Sequence, residues 1–411
     1  MGRADYTLLI TNPAGSSIVA DPVGSADPTT GTPGHTMIDL KPRHLEAGFG
    51  EFSTAADPDL LAAVNDPDNR VVVRRALDDG TGTTIEMAGP IELPENGYQA
   101  ARDGSGGLGT LTVKFADDLV VLADRLVYPD PAAASTAQTT TTRYVITAQN
   151  PENALRALVN LNAGPGALTA RRVPGLVLGP DNNLMPGVTV STSFDRAMVL
   201  TDALREVARL PGGLGLGFRI VQVGGTLQFD VFQPQDLSNE IVFSRSMGNI
   251  AELGYSRAAP TATVAIVGDA TAGVGRIVSE RVNTVAHTAG WRRREVFVDA
   301  RGVSNATERD QAGDEALAEG ASKTRAAVTA LETPDTRYGY DYGRGDLVSV
   351  QPYDGGPFIT ALVLGADITV TPDKGETVVP VIGTDNDVIV DAKAAEIRKL
   401  WRTIARLQGA L

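Results

Sequence analysis

Short apolar runs separated by turn residues dominate the first 130 positions. Tyr6–Thr11 is largely apolar and stops at Asn12-Pro13. Arg70–Leu77, Thr84–Ala88 and Leu108–Phe115 read as further strands, with Asp79-Gly80 and Asp103-Gly104 as turn signals. Ile18–Pro33, rich in Gly, Pro, Asp, Ser and Thr, reads as a long surface loop. Two helices interrupt the pattern. Pro58–Val64 is one; Ala116–Leu126 is the other, with Leu119, Val120 and Leu122 apolar and Asp117 and Asp118 near its start.

The stretch Pro129–Thr142 buries little and marks a boundary, either a linker or an exposed loop. Beyond it the period changes. Asn150 as N-cap and Pro151 at the first helical position start a helix with Leu155, Leu158 and Val159 on one face. A second helix runs from about Met198 to Leu210 and stops at Pro211-Gly212-Gly213. Phe218–Val223 and Thr226–Phe232 alternate around Gly224-Gly225, which is a hairpin pattern.

Strands return from Ile241: Thr261–Val267, Arg276–Val282, Glu295–Asp299, Asp346–Gln351, Ile359–Leu364 and Thr377–Ile382. One long Ala-rich helix, residues 305–331, breaks this series, with Asn305 as N-cap and Glu308 three positions on. At the C-terminus Ile397, Leu400, Ile404, Leu407 and Leu411 are spaced 3, 4, 3, 4, a heptad seam with Arg398, Lys399, Arg402 and Arg406 outside it. A helix this short is marginal alone and needs partner helices or its own domain to cover the seam. The terminal position favours self-association, without fixing a copy number.

Composition narrows the chemistry. The 411 residues carry 36 basic and 50 acidic side chains, a net charge of −14, which argues against wrapping nucleic acid. There is no cysteine, so disulfides, thiolate metal sites and Cys nucleophiles are excluded. His35, His44 and His287 are the only histidines, and their spacing makes no metal pair. No apolar run is long enough to span a membrane, so no membrane association is expected. The N-terminus lacks a signal-peptide core, which leads to the expectation of synthesis in a cytoplasm.

No motif makes an active site. Gly213-Leu214-Gly215-Leu216-Gly217 follows a helix and precedes a strand, the reverse of a dinucleotide site. Gly302-Val303-Ser304-Asn305-Ala306 sits at an expected helix cap and is no nucleophile elbow. The carboxylate pairs Asp78-Asp79, Asp117-Asp118 and Asp314-Glu315 read as solvated surface, and Arg344-Gly345-Asp346 as the opening of a strand. Trp291-Arg292-Arg293-Arg294 is the densest basic cluster outside the tail and reads as an interface anchor. The expectation is a protein without catalytic residues, cofactor or metal.

The order of elements resembles the baseplate-hub or tail-tip proteins of phages, most closely the minor tail proteins of siphophages that infect actinobacteria. The likeness rests on Asp202-Ala203-Leu204-Arg205-Glu206 leading through Gly212–Arg219 into Leu227–Pro234. Ile241-Val242-Phe243-Ser244 with Gly248-Asn249-Ile250, and Arg293–Arg301, add to it. Tyr338-Gly339-Tyr340-Asp341-Tyr342 with Gly345-Asp346-Leu347-Val348 completes the set, so that roughly residues 40 to 385 are covered.

The resemblance implies an α+β, mainly β fold. Residues 1–128 would form a first tail-tube-like β-barrel, 129–143 a linker or loop and 144–239 an α/β helix-plus-hairpin module. Residues 240–387 would form a second tube-like barrel with helix 305–331 inserted, and 388–411 a C-terminal coiled-coil helix. It further implies a homotrimeric hub that docks a threefold tip under a sixfold tube. A distal tail or tube-cap protein would sit above, and a central fibre, spike or other minor tail proteins below. Tape-measure protein and DNA would pass through the lumen without specific binding. Some hub proteins extend into a cell-wall peptidase; this sequence shows no counterpart. A receptor- or carbohydrate-binding tail protein, or a wall hydrolase, are the alternatives. The first would need an aromatic platform, which is hard to build with 5% aromatic residues.

Overall fold

The computed structural model describes residues 5–13, 15–20, 37–56, 58–76, 83–97, 109–138, 141–211, 214–269, 276–300, 306–331, 333, 336–371 and 375–383. Among them strands far outnumber helices, 21 against six α-helices. The chain folds as a larger unit, Met1–Glu252 with Val328–Val381, and a smaller one, Leu253–Ala327 with Ile382–Leu411.

Alternation of side chains builds the main sheet of the larger unit. In Met37–Lys41, Ile38 and Leu40 are buried while Asp39 and Lys41 face outward; in Thr110–Ala116, Leu111, Val113 and Phe115 are buried while Thr112 and Lys114 face outward. Each such fully buried side chain contributes about 1.5–3 kcal/mol. Between them runs Phe49–Ala55, where Gly50 lies opposite Phe115. A Cβ at Gly50 would stand 2.2 Å from the Phe115 ring, so only glycine leaves the ring its place.

Eleven strands join in the order Val242–Phe243, Leu347–Val350, Ile359–Thr371, Met37–Lys41, Phe49–Ala55, Thr110–Ala116, Thr83–Gly97, Arg70–Ala76, Asp5–Thr11 and Ser17–Ala20, with Gly375–Gly383 paired on Ile359–Thr371. N-terminal and C-terminal strands therefore share one sheet. They meet antiparallel at Ile368 with Leu40, Thr369 with Asp39 and Val370 with Ile38. Among the described residues the strand path stays open at both ends.

The helix expected over Ala116–Leu126 shrinks to one turn, Val120–Ala123. The sheet takes the residues before it: the Asp117 amide donates to the Gly48 carbonyl at 2.9 Å and the Asp118 amide to Ala88 at 2.8 Å. The stretch after Tyr128 is an ordered loop. The Gln138 side chain, itself buried, accepts from the Asp130 amide at 2.9 Å and donates to the Asp130 carbonyl at 2.6 Å.

The middle of the larger unit follows its periodicity. Helix Pro151–Asn162 starts on Asn150, whose side chain accepts from the Asn153 amide at 3.3 Å, and buries Leu155, Leu158 and Val159. Helix Leu200–Arg209 buries Leu200, Leu204 and Val207. The hairpin Gly217–Val223 and Thr226–Phe232 gains a third, parallel strand, Leu176–Leu178. These elements share one apolar core through Phe194, Phe218 and Phe229.

In the smaller unit Val264–Gly268 is flanked by Val278–Val282 antiparallel and Glu295–Asp299 parallel. Helix Ala306–Glu319 covers one face, with Leu317 and Ala316 against Ala265, Val296 and Val298. The expected helix 305–331 therefore ends twelve residues early, and Asn305 lies outside the described residues. Gly320 ends it. Its carbonyl accepts from the Thr261 and Ala262 amides at 2.8 and 3.2 Å, and any Cβ there would press on Ala262 at 2.8 Å. The chain continues as a strand, Lys323–Ala330, paired with Ile250–Ala258. Alanine content favours helix only weakly, and pairing overrides it. Residues 388–411, with the seam Ile397, Leu400, Ile404, Leu407 and Leu411, lie outside the described residues.

Candidate functional site

Charged side chains of the larger unit converge where N- and C-terminal segments meet. The strand Arg70–Ala76 directs Val71, Val73 and Arg75 to one buried face. Arg75 Nε lies 2.7 Å from Glu376 Oε1, with the two side chains only 1% and 9% exposed. A second nitrogen of Arg75 donates to the Tyr338 carbonyl, and the Tyr6 hydroxyl donates to Glu376 Oε1. Burial and the Glu376 charge push the Tyr6 hydroxyl well above its ordinary value. Nearby, Arg43 pairs with Asp367 and donates to the Ala366 carbonyl at 2.8 Å.

These groups adjoin a cavity of about 610 Å³ lined by Arg43, His44, Glu86, Asp117, Arg219 and Arg344, among others. Arg344 Nη1 stands 3.8 Å from Asp117 Oδ2, and Asp117 Oδ1 accepts from the Leu119 amide at 2.9 Å. Burial raises the Asp117 carboxyl, against the pull of Arg344, and raises Glu86 in the same way. His44 packs edge-on to Phe232, with ring centroids 6.3 Å apart. Burial, reinforced by the Arg344 and Arg209 charges, lowers it to about 3, so it is neutral at ordinary pH. What this arrangement does chemically is hold opposite charges in fixed places across distant parts of the chain.

The residues singled out in the sequence are scattered. Asp117 and Asp118 are a correction: both are buried, and Asp118 pairs with Arg70. The strand ahead of them carries them inward. Asp314 is exposed as expected and takes a two-pronged contact from Arg281 at 2.9 and 2.7 Å. Asp78, Asp79 and His35 lie outside the described residues, and His287 is exposed on a short helix. Asp346 caps backbone: it accepts from the Gln235 amide at 2.9 Å and the Gly343 amide at 2.8 Å.

In the smaller unit the Trp291 ring is half-buried under Arg257 at 5.2 Å. Arg293 bridges Glu280 at 3.0 Å and Glu295 at 2.7 Å, Arg294 donates to the Pro260 carbonyl at 2.8 Å, and Arg292 is exposed. Among the described residues no group of His, Asp and Glu is placed to hold a metal, and no helix is long and apolar enough to cross a membrane.

Sequence reasoning missed the Arg75 cluster, whose partners lie up to 370 positions apart. One signal was available: Arg75 occupies the inward phase set by Val71 and Val73.

A family model described as Siphovirus ReqiPepy6 Gp37-like protein matches residues 32–384. The chain belongs to this family. It is a siphophage tail protein. Solved tail proteins share its mainly β fold. The 43 kDa tail protein of prophage MuSo2 from Shewanella oneidensis has a TM-score of 0.53 at 13% identity, covering 92% of this chain and 98% of that one. The tail protein of Neisseria meningitidis MC58 has a TM-score of 0.52 at 15% identity, covering 92% and 97%. No curated protein sequence matches this tail protein.

Proposed function

We infer that this tail protein is the hub of a siphophage tail tip, a homotrimer whose chains each supply two tube-like modules to a ring around a DNA channel. The observation that carries the reading is the sheet continuity between strands Met37–Lys41 and Ile359–Thr371. Six modules from three chains keep a regular ring only if the two modules of one chain are fixed to each other. A shared sheet and the nearly dry Arg75–Glu376 pair supply that fixity. A net charge of −14 per chain limits sticking of DNA and tape-measure protein in the lumen.

The hub would hold a distal tail or tube-cap protein above and a fibre, spike or other minor tail protein below, in the virion. Ile397, Leu400, Ile404, Leu407 and Leu411 would join the copies. Trp291, Arg292, Arg293 and Arg294 would offer a second anchor, with exposed Arg292 facing the partner. The work is mechanical: the Asp117–Asp118 and Asp314 carboxylates are engaged by arginines and backbone.

Imaging of intact particles tests the reading, with threefold density for this chain at the tail tip around an axial channel as the expected result. Density elsewhere in the particle, or a single copy, refutes it. Native mass spectrometry of Ile397→Asp with Ile404→Asp should show three-chain mass falling to one-chain mass; an unchanged mass rejects the seam as the joint. A lytic band from pure protein in a wall zymogram rejects the non-enzymatic role.

A further inference from the structure

Strand Gly217–Val223 is the edge of its three-stranded sheet. Thr226–Phe232 pairs with one side of it, and among the described residues no strand pairs with the other. Such an edge leaves a row of backbone N–H and C=O groups free to pair with another chain. The edge borders the cavity of about 610 Å³ in the larger unit: five consecutive residues, Phe218, Arg219, Ile220, Val221 and Gln222, line it. One face of a strand shows only alternate residues, so this strand meets the cavity along its edge. Pockets of about 300–1,000 Å³ are large enough to bury a ligand.

The charged groups around the cavity say what that ligand carries. Arg219 is exposed, with its guanidinium over the Phe232 ring at 5.4 Å. Asp230, across the hairpin from it, is held by the Gln228 side chain at 2.8 Å. Arg344 has its nearest carboxylate, Asp117, at 3.8 Å. Among the described residues neither guanidinium makes a hydrogen bond, and the two repel each other. The rest of the lining does not cancel them. Arg43 is paired with Asp367, and Asp346 is taken by backbone amides. Burial raises Glu86 and Asp117 towards their neutral forms, whereas arginine stays charged. Glu86 is 7% exposed and accepts no hydrogen bond among the described residues. Two free cations beside a free strand edge fit an acidic side chain carried on an extended backbone.

We propose that an extended acidic peptide adds to strand Gly217–Val223 as a further strand, with one of its carboxylates between Arg219 and Arg344. Backbone pairing holds the peptide, and the guanidiniums select the residue that reaches them. Glu86 offers an acceptor to a donor of the peptide. The site needs neither three copies nor a channel, so it goes beyond the hub reading and stands or falls without it.

Fluorescence polarisation on the full chain tests the proposal, with labelled hexapeptides of alternating Val and Thr whose third residue is Glu, Gln or Lys. The Glu peptide should bind about tenfold more tightly than the Gln peptide, and the Lys peptide most weakly. Arg219→Gln, at an exposed position, should cut the affinity for the Glu peptide about tenfold and leave the Gln peptide as it was. Hydrogen exchange reads the backbone. The Glu peptide should slow exchange within Gly217–Val223, and the same peptide N-methylated at every amide should not. Free glutamate at matched concentration should not displace the peptide. Equal binding of the Glu and Lys peptides, unchanged exchange in this strand, or displacement by free glutamate overturns the proposal, as does no binding by the Glu peptide. None of these outcomes bears on threefold density in the virion, which decides the hub reading separately.

Discussion

The Arg75–Glu376 pair sets a quantitative test of how the two ends of the chain are held together. Arg75 is 1% exposed and Glu376 9%, at 2.7 Å. Removing one partner takes from the other its direct ion pair in a nearly dry site, at a cost of about 3–5 kcal/mol. Arg75→Met also leaves the Tyr338 carbonyl without its guanidinium donor, and an unsatisfied buried polar group adds about 1–3 kcal/mol. Arg75→Met and Glu376→Leu should therefore each destabilise the larger unit strongly. Together they remove both charges, so the double variant should lose less than the sum of the two, with a coupling energy of about 2–3 kcal/mol.

The assay is urea unfolding followed by far-UV circular dichroism. Tryptophan fluorescence is the wrong probe, because Trp291 lies in the smaller unit and Trp401 in the tail. With an urea dependence of about 3 kcal/mol per molar, each single variant should shift the midpoint down by about 1 M or more. Hydrogen exchange in strand Arg70–Ala76 should accelerate in parallel. Additive single effects, or an Arg75→Met cost below about 0.5 kcal/mol, would refute the claim that this pair locks the sheet.

Three further outcomes follow from neighbouring features. His44 is lowered to about 3 from its ordinary 6.5, so below pH 6.5 the unfolded chain binds a proton that the folded chain refuses. Stability from this group is lost as pH falls from 6.5 towards 3, by about 4–5 kcal/mol in all. Glu86 and Asp117, raised by burial, work in the opposite direction, since the folded state takes up their protons first. The stability difference between parent and His44→Gln, measured by urea midpoints, should therefore shift with pH between 6 and 4; a constant difference contradicts the assignment. Asn150→Ala removes the cap of helix Pro151–Asn162 and two donations to the Leu184 and Met185 carbonyls, with an expected cost of about 1–2 kcal/mol. Arg293→Ala breaks two contacts that are half-exposed on both sides, so solvent screens them and a thermal melt should show almost no change in midpoint.

Local patterning made much of the secondary structure legible. Pro58–Val64 and Glu295–Asp299 form over the residues that the pattern predicts, and Asn150-Pro151 starts its helix as the capping chemistry demands. Strands Met37–Lys41 and Phe49–Ala55 escaped notice because they sit among Gly, Pro and charged residues, and their apolar positions, such as Ile38, Leu40 and Phe52, are too few to stand out. The end of helix Ala306–Glu319 was hidden for another reason: Gly320 stops it through contacts to Thr261 and Ala262, nearly sixty positions away. The charged cluster was illegible for the same reason. Charge along the chain says which side chains exist, and only the closing of strand 359–371 onto strand 37–41 says which of them meet. Asp117 and Asp118 show the difference plainly, being hydrophilic in sequence and buried in the fold.

The chain leaves the larger unit along Ile250–Ala258 and comes back along Lys323–Ala330, and these two strands are paired with each other. Exit and return are thus neighbours, so the intervening segment is threaded like a cassette on a two-rail track. Such a segment can be shortened to a tight turn, enlarged, or exchanged for an unrelated fold without altering the order of strands in the main sheet. Connectivity alone therefore separates change in the intervening segment from the strand order of the main sheet.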